Sequence, residues 1–273
     1  MDASRVTVSD RRGRATPCPP PPMPPTVTLA FVDTSSHVLT RAALEASVSQ
    51  FPFTRVLVAT DRPEAFPGYD TVRVAPFPTI GEFCRYLTHG VVEHITTDVM
   101  LMAQYDGFVI HGDQYSPHFA HYDYIGAPWP MFDDCAVGNG GFSWRSRRLM
   151  EAVATLDYDG VEPEDLFICR TSRILLENRH RVKFAGRDLA SHFSQELAPR
   201  HYPSFGFHGL FHLPTLYAQR LDFLVEHLTP RMLLNATSGP MFAQQLGRIS
   251  PQALRRFEQR RREAEAAGQA GAR

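Results

Sequence analysis

No stretch of the sequence approaches the roughly 18 consecutive apolar residues that a membrane helix needs, and no apolar h-region opens it. A transmembrane span and a signal peptide are therefore not predicted; the expectation is a soluble, cytoplasmic protein with at most peripheral membrane contact. The four cysteines, Cys18, Cys84, Cys135 and Cys169, are widely spaced and contain no CxxC pair, which argues against a disulfide framework and a structural zinc site. Formal net charge is -1, so there is no basic field of the kind that attracts nucleic acid and no acidic excess that enforces disorder. Lysine is nearly absent: Lys183 is the single one, the other basic residues being arginine, a bias that says little about chemistry. No GxGxxG follows the first predicted strand and no GxxxxGK[ST] occurs, which disfavours a classical dinucleotide fold and a P-loop NTPase. No repeat of 20–50 residues is present.

What is present suits one sizeable α/β domain: 273 residues, 43% of them hydrophobic. Residues 1–25 are polar, arginine-rich and end in PCPPPPMPP, which reads as a disordered leader. VTLAFVD from Val27, a helical pattern over Leu39 to Phe51, and Val56 to Ala59 form a βαβ opening that predicts a parallel sheet. Val72 to Val74 is a further short strand, Ile80 to Ile95 a helix, and Val99 to Ala103 a strand apolar enough to be buried on both faces. Strand-like segments at Tyr124 to Ala127, Phe142 to Trp144 and Val182 to Phe184 follow, with helices over Ser146 to Leu156, Leu166 to Leu176 and Thr215 to Leu228. The domain is expected over 26–230, with 231–273 a helical extension whose arginine-rich end reads as a solvated tail.

Five segments could carry chemistry. Gln104-x-Asp106 ends the central strand, and alternation puts both side chains on one side. The cleft of an open α/β sheet lies off such strand ends, and a carboxylate there faces a site or else merely caps a turn before Gly107. Asn139-Gly140-Gly141 allows backbone to approach a ligand, or is an ordinary turn with positive φ. Glu164-Asp165 follows Pro163 as either a general base or helix-start charges. His208 stands in FGFHG as a metal ligand, a diphosphate donor, or a core histidine satisfied by backbone. Arg145 and Arg147 are possible phosphate partners, or surface charges. His111-x-Asp113 is a conceivable metal pair that nothing later completes into a hydrolase set.

Taken in order, QYDGFV, YDYIGAPW, VGNGGFSWRSR, PED and FGFHG resemble a largely uncharacterised bacterial family of glycosyltransferase-like proteins, similar to the GT-A class, over about Val27 to Leu213. The resemblance implies a mixed, mainly parallel central sheet flanked by helices. It implies a nucleotide-sugar donor, a glycan, lipid-linked or small-molecule acceptor, and Mn²⁺ or Mg²⁺. Asp106 falls at the DxD position, with Gln104, a poorer partner for a cation, where the first aspartate usually stands. Asn139, Gly140 and Gly141 match the donor and acceptor loop, Asp165 or Glu164 the base of inverting members, and His208 the late histidine of the metal site. The chemistry agrees: a metal and N–H or cationic donors stabilise the departing diphosphate while a carboxylate activates the acceptor hydroxyl. The expectation is an inverting hexosyltransferase-type enzyme of carbohydrate biosynthesis, and the rival is a non-catalytic nucleotide-sugar or glycan-binding protein.

Overall fold

In the computed structural model, which describes residues 24–132, 134, 137–196 and 203–271, the apolar runs become the centre of the sheet. The proline-rich leader up to residue 23, Cys18, Cys135 and His201 lie outside the described residues. β1 (Val27–Val32) and β4 (Val99–Ala103) are buried at every position and pair in parallel, Val27 opposite Val99 and Phe31 opposite Ala103. α1 (His37–Gln50) returns the chain to β2 (Arg55–Thr60), parallel to β1, and β3 (Asp70–Arg73) adds in parallel outside it. α2 (Ile80–Arg85) continues through a π turn, Tyr86–Gly90, and a 3₁₀ turn, Val91–His94, into one rod leading to β4.

β5 (Tyr124–Ile125) and β6 (Ser143–Ser146) close the sheet in the order β3-β2-β1-β4-β6-β5, with β6 antiparallel to both neighbours. The sheet is thus mixed and mainly parallel, as expected. Helices cover both faces. Leu29, Phe31, Leu101 and Ala103 point to one core with α1, while Ala30, Val32, Met100 and Met102 meet Leu87, Val91 and Ile95 of the rod on the other.

After β6 come α3 (Arg147–Val153), α4 (Glu164–Leu166) with a π turn over Phe167–Thr171, α5 (Arg173–His180) and α6 (Arg187–Phe193). β7 (Ser194–Gln195) and β8 (Gly206–Phe207) pair in parallel as a separate two-stranded ribbon. Val182 to Phe184, expected as a strand, makes a single isolated bridge among the described residues, Phe184 with Tyr124. The single helix expected over Thr215 to Leu228 is two, α7 (Leu213–Leu216) and α8 (Leu221–Glu226), separated by a 3₁₀ turn.

α9 (Pro230–Leu233), α10 (Gly239–Ile249) and α11 (Pro251–Gly271) correct the picture of an appended, solvated C-terminus. Met232, Leu233, Phe242, Leu246, Ala253 and Phe257 are buried in the same core as α1 and β1. The boundary at residue 230 is therefore not a core boundary. The arginines of α11 mask the apolar stripe of its first turns, where Ala253 and Phe257 are buried, whereas residues 262–269 are exposed apart from Ala264; Arg260 donates to the Glu226 carbonyl at the end of α8, 2.7 Å away. No helix among the described residues is long and apolar enough to cross a membrane.

Candidate active site

The order of strand addition reverses between the parallel neighbours β1 and β4: the connection from β1 runs outward to β2, and the chain then crosses back to β4 on the other side. At such a switch point the loops leave in opposite directions and a crevice opens off the carboxyl ends of the strands. A cavity of about 280 Å³ lies there, lined by Asp33, Thr34 and Ser35 after β1, Gln104 and Tyr105 after β4, and Ile80 and Phe83 of α2. Its rim at α2 is fixed by a capping box, in which the Glu82 N–H donates to Thr79 Oγ1 (3.2 Å) and the Thr79 N–H to Glu82 Oε2 (3.1 Å).

Gln104 and Asp106 do not share a strand face. β4 ends at Ala103, and Gln104 exchanges both backbone hydrogen bonds with Gly107 (2.8 and 3.0 Å) in a tight turn. Alternation stops where the turn starts, so Gln104 lines the cavity while Asp106 turns inward and is buried. The Gly209 N–H donates to the Asp106 carbonyl (2.7 Å), tying FGFHG to this turn. β8 is pinned on its other side to β7, and the His208 N–H donates to the Gln195 carbonyl (3.0 Å). His208 is thereby set between two carboxylates, with Nε2 3.7 Å from Asp106 Oδ1 and Nδ1 3.3 Å from Glu196 Oε1.

The Asn139–Gly141 loop joins this cluster to the PED turn. Asn139 has φ of 72°, a left-handed conformation that asparagine tolerates. Its Oδ1 accepts from the N–H groups of Gly141 (3.0 Å) and Phe142 (3.3 Å), which leaves Nδ2 as the atom facing His208 Nδ1 at 3.0 Å. The Asn139 amide is thus spent on positioning the loop and the imidazole rather than open to a sugar. Gly140 N–H donates to Asp165 Oδ2 (3.1 Å). A Cβ on Gly140 would lie 1.9 Å from Glu164 Oε1, and one on Gly141 2.1 Å from His208 Nε2. Both positions need glycine for close approach, not for a strained φ. Gly141→Ala is expected to displace the imidazole, lowering stability by about 1–3 kcal/mol and weakening Mn²⁺ binding. Thermal melting and Mn²⁺ titration check this against Gly186→Ala, whose Cβ would meet nothing within 4 Å.

Arg145 does not face a ligand. Its side chain is 1% exposed, stands beneath the loop, and donates through Nη2 to Glu164 Oε1 (2.9 Å) and through Nε to Ser143 Oγ (2.9 Å). Arg147, the other candidate phosphate partner, begins α3 and pairs with Glu151 on the surface. Glu164 and Asp165 consequently differ: Glu164 neutralises a buried guanidinium, while the Asp165 carboxylate is held, among the described residues, by the Gly140 and Leu166 N–H groups. Burial and the neighbouring Glu164 charge push the Asp165 carboxyl up to about 6 against those two donors. Burial also raises Asp106, with His208 acting in the opposite direction. At His208 burial lowers the imidazole, but Asp106 and Glu196 outweigh it and hold it up at about 9. Asp165 acts on the same imidazole, so the three acidic groups share one electrostatic neighbourhood.

Glu196 was not singled out in the sequence: SQEL carries no motif, and only the β7–β8 pairing brings it to His208. His111 and Asp113 stay apart from the cluster: His111 lines a second cavity beside α1, and Asp113 sits exposed in a 3₁₀ turn.

A divalent ion with bonds of about 2.1 Å spans roughly 3–3.6 Å between neighbouring ligand atoms. The 3.7 Å from Asp106 Oδ1 to His208 Nε2 is close to that, and Asp106 Oδ1 is buried without a hydrogen-bond partner among the described residues. The pair fits a hard cation as two of its ligands; no cluster of three His, Cys, Asp or Glu groups able to hold one occurs among the described residues.

Residues 86–208 match the family model DUF5672, described as a protein of unknown function. No curated protein matches the chain. Among solved structures, the chain is similar to the mannosyltransferase PcManGT from Pyrobaculum calidifontis, in complex with GDP-Man and Mn²⁺. The identity is 14%, with 90% of this chain and 75% of that one covered, at a TM-score of 0.44. It is similar to the apo-form glycosyltransferase GlyE from Streptococcus pneumoniae TIGR4 at 10% identity, covering 86% of this chain and 62% of that one, TM-score 0.44. Glucosyl-3-phosphoglycerate synthase from Mycobacterium tuberculosis, in complex with Mg²⁺ and UDP, follows at 10% identity over 59% of this chain and 68% of that one, TM-score 0.38.

Proposed function

We propose that the protein transfers a sugar from a nucleoside-diphosphate donor to an acceptor hydroxyl, with inversion. The observation that carries this reading is the meeting of Asp106, His208 and Asp165 on one loop, Asn139–Gly141, next to the cavity at the switch point. The turn from Gln104 to Gly107 lies between them, Tyr105 on the cavity side and Asp106 on the loop side. A nucleotide in the cavity would extend its diphosphate over that turn and bring the sugar against the loop. Asp165, with its proton affinity raised to about 6, accepts the acceptor's proton. Asp106 and, on giving up its proton, His208 would hold Mn²⁺ or Mg²⁺, which when bound supplies positive charge to the leaving diphosphate. Asn139 keeps the imidazole in place, and Glu164 keeps Arg145 neutralised beneath the loop.

The test is thermal melting with UDP, GDP, TDP and CMP, with and without Mn²⁺. A shift with one diphosphate that Mn²⁺ enlarges is the expected result, and Asp106→Asn is expected to weaken Mn²⁺ binding at least roughly 10-fold. Failure of every nucleotide to move the melting temperature would reject the reading. Gln104 favours one rival, a nucleotide-sugar binder without turnover, because a neutral amide attracts a cation less than a carboxylate does. Nucleotide binding without transfer to any acceptor or to water would support that rival.

A further inference from the structure

The donor cavity has two unlike walls. One is apolar, built by Phe77, Pro78, Ile80 and Phe83, with the Phe77 and Phe83 rings edge to face at 5.6 Å. The opposite wall comes from Thr229, Arg231, Met232 and Asn235, all on or beside α9. The charged side chains lining the cavity are Asp33 and Arg231. Asp33 is turned toward its own backbone: Oδ1 accepts from the N–H groups of Ser35 (3.0 Å) and Ser36 (2.9 Å). Arg231 is exposed, and among the described residues its guanidinium has no hydrogen bond or ion pair. It is near enough to Tyr105 to act on the phenol, opposing the upward push of burial and of Asp106. Asn235 spends Oδ1 on the N–H groups of Thr237 (3.0 Å) and Ser238 (2.9 Å), so its unspent atom is the Nδ2 donor. This wall therefore offers a cation and N–H donors with no unspent carboxylate, which is the chemistry of an anion site.

We infer that Arg231 binds the diphosphate of the nucleotide, so that the C-terminal segment forms part of the donor site. The inference rests on the nucleotide-sugar reading above and adds the residue that meets the phosphate charge. Two features of the chain favour such a residue. Arg145 is locked to Glu164 out of reach, and Gln104 brings no charge with which to recruit a second cation. A guanidinium binds phosphate oxygens directly and in a bidentate fashion. The position of Arg231 depends on the C-terminal helices, since its neighbours Met232 and Leu233 are buried in one core with Phe257 of α11.

The experiment is calorimetric titration of the full chain and its Arg231→Ala variant with UDP, GDP, TDP and ADP and with the matching nucleosides, in Mn²⁺ and in EDTA. Because Arg231 is exposed, the variant is expected to melt like the wild type. Diphosphate affinity is expected to fall roughly 10- to 100-fold, with nucleoside affinity unchanged and Arg231→Lys recovering part of the loss. Equal diphosphate affinity in wild type and Arg231→Ala under both conditions overturns the assignment while leaving the nucleotide-sugar reading intact. An equal loss for diphosphate and nucleoside also overturns it, because that marks a wall contact rather than a phosphate contact. If the wild type binds no diphosphate at all, the nucleotide-sugar reading fails first and the assignment with it.

Discussion

Asp165→Asn is expected to lower turnover by roughly 10²- to 10⁴-fold while nucleotide binding survives, because an amide accepts no proton but fills the same volume. The raised carboxyl adds a second, independent signature. Burial and Glu164 push Asp165 up to about 6, so between its usual value near 4 and 6 the folded chain holds a proton that the unfolded chain has released. Wild-type stability therefore falls as pH rises through that window and stays level above it. A shift of about two units corresponds to roughly 3 kcal/mol, less about 1 kcal/mol when asparagine gives up one of the two N–H acceptors. The variant should accordingly melt higher than the wild type at pH 7–8, with the difference closing toward pH 4. The wild-type rate should drop below about pH 6 as the base protonates. An Asp165→Asn protein with undiminished turnover would remove Asp165 from the mechanism. One that melts lower at neutral pH would contradict the electrostatic account of its burial.

The parallel core was legible because it is made of consecutive apolar residues: Val27–Val32 and Val99–Ala103 can bury both faces only in the middle of a covered sheet. The candidate site was legible as an ordered set of motifs: QYD, NGG, PED and FGFHG are neighbours in the fold. What the sequence could not supply was the direction of each side chain. Gln104 and Asp106 part company because a turn begins one residue earlier than alternation assumes. Arg145 points inward and Arg147 outward for the same reason, a four-residue strand passing directly into a helix. Glu196 and Arg231 lie in segments without a motif, and long-range packing, of β7 on β8 and of α9 against the C-terminal core, brings the first to His208 and the second to the cavity. Ala253 and Phe257 were hidden by the arginines around them, yet two apolar side chains four apart are what one buried helix face needs.

Glu164→Gln should be the most destabilising of these substitutions, and it separates the two carboxylates that the sequence left equivalent. Arg145 is buried with its charge met by Glu164, and Nη1 has no partner among the described residues. Neutralising Glu164 strands that cation, at a cost of about 3–5 kcal/mol. For a chain of this size that lowers the melting temperature by about 5–9 °C. Replacing the pair together, Arg145→Met with Glu164→Leu, should recover most of the loss, since apolar residues of similar volume remove the desolvation cost of both ions. The same single substitution takes away a charge that raises Asp165, so the acid limb of the rate profile should move to lower pH while turnover on the plateau persists. A Glu164→Gln protein that melts like the wild type but has lost turnover would reverse the roles, making Glu164 the base and Asp165 its support. Loss of stability with the plateau intact, and the limb displaced, leaves Asp165 as the proton acceptor and Glu164 as the residue that sets its affinity.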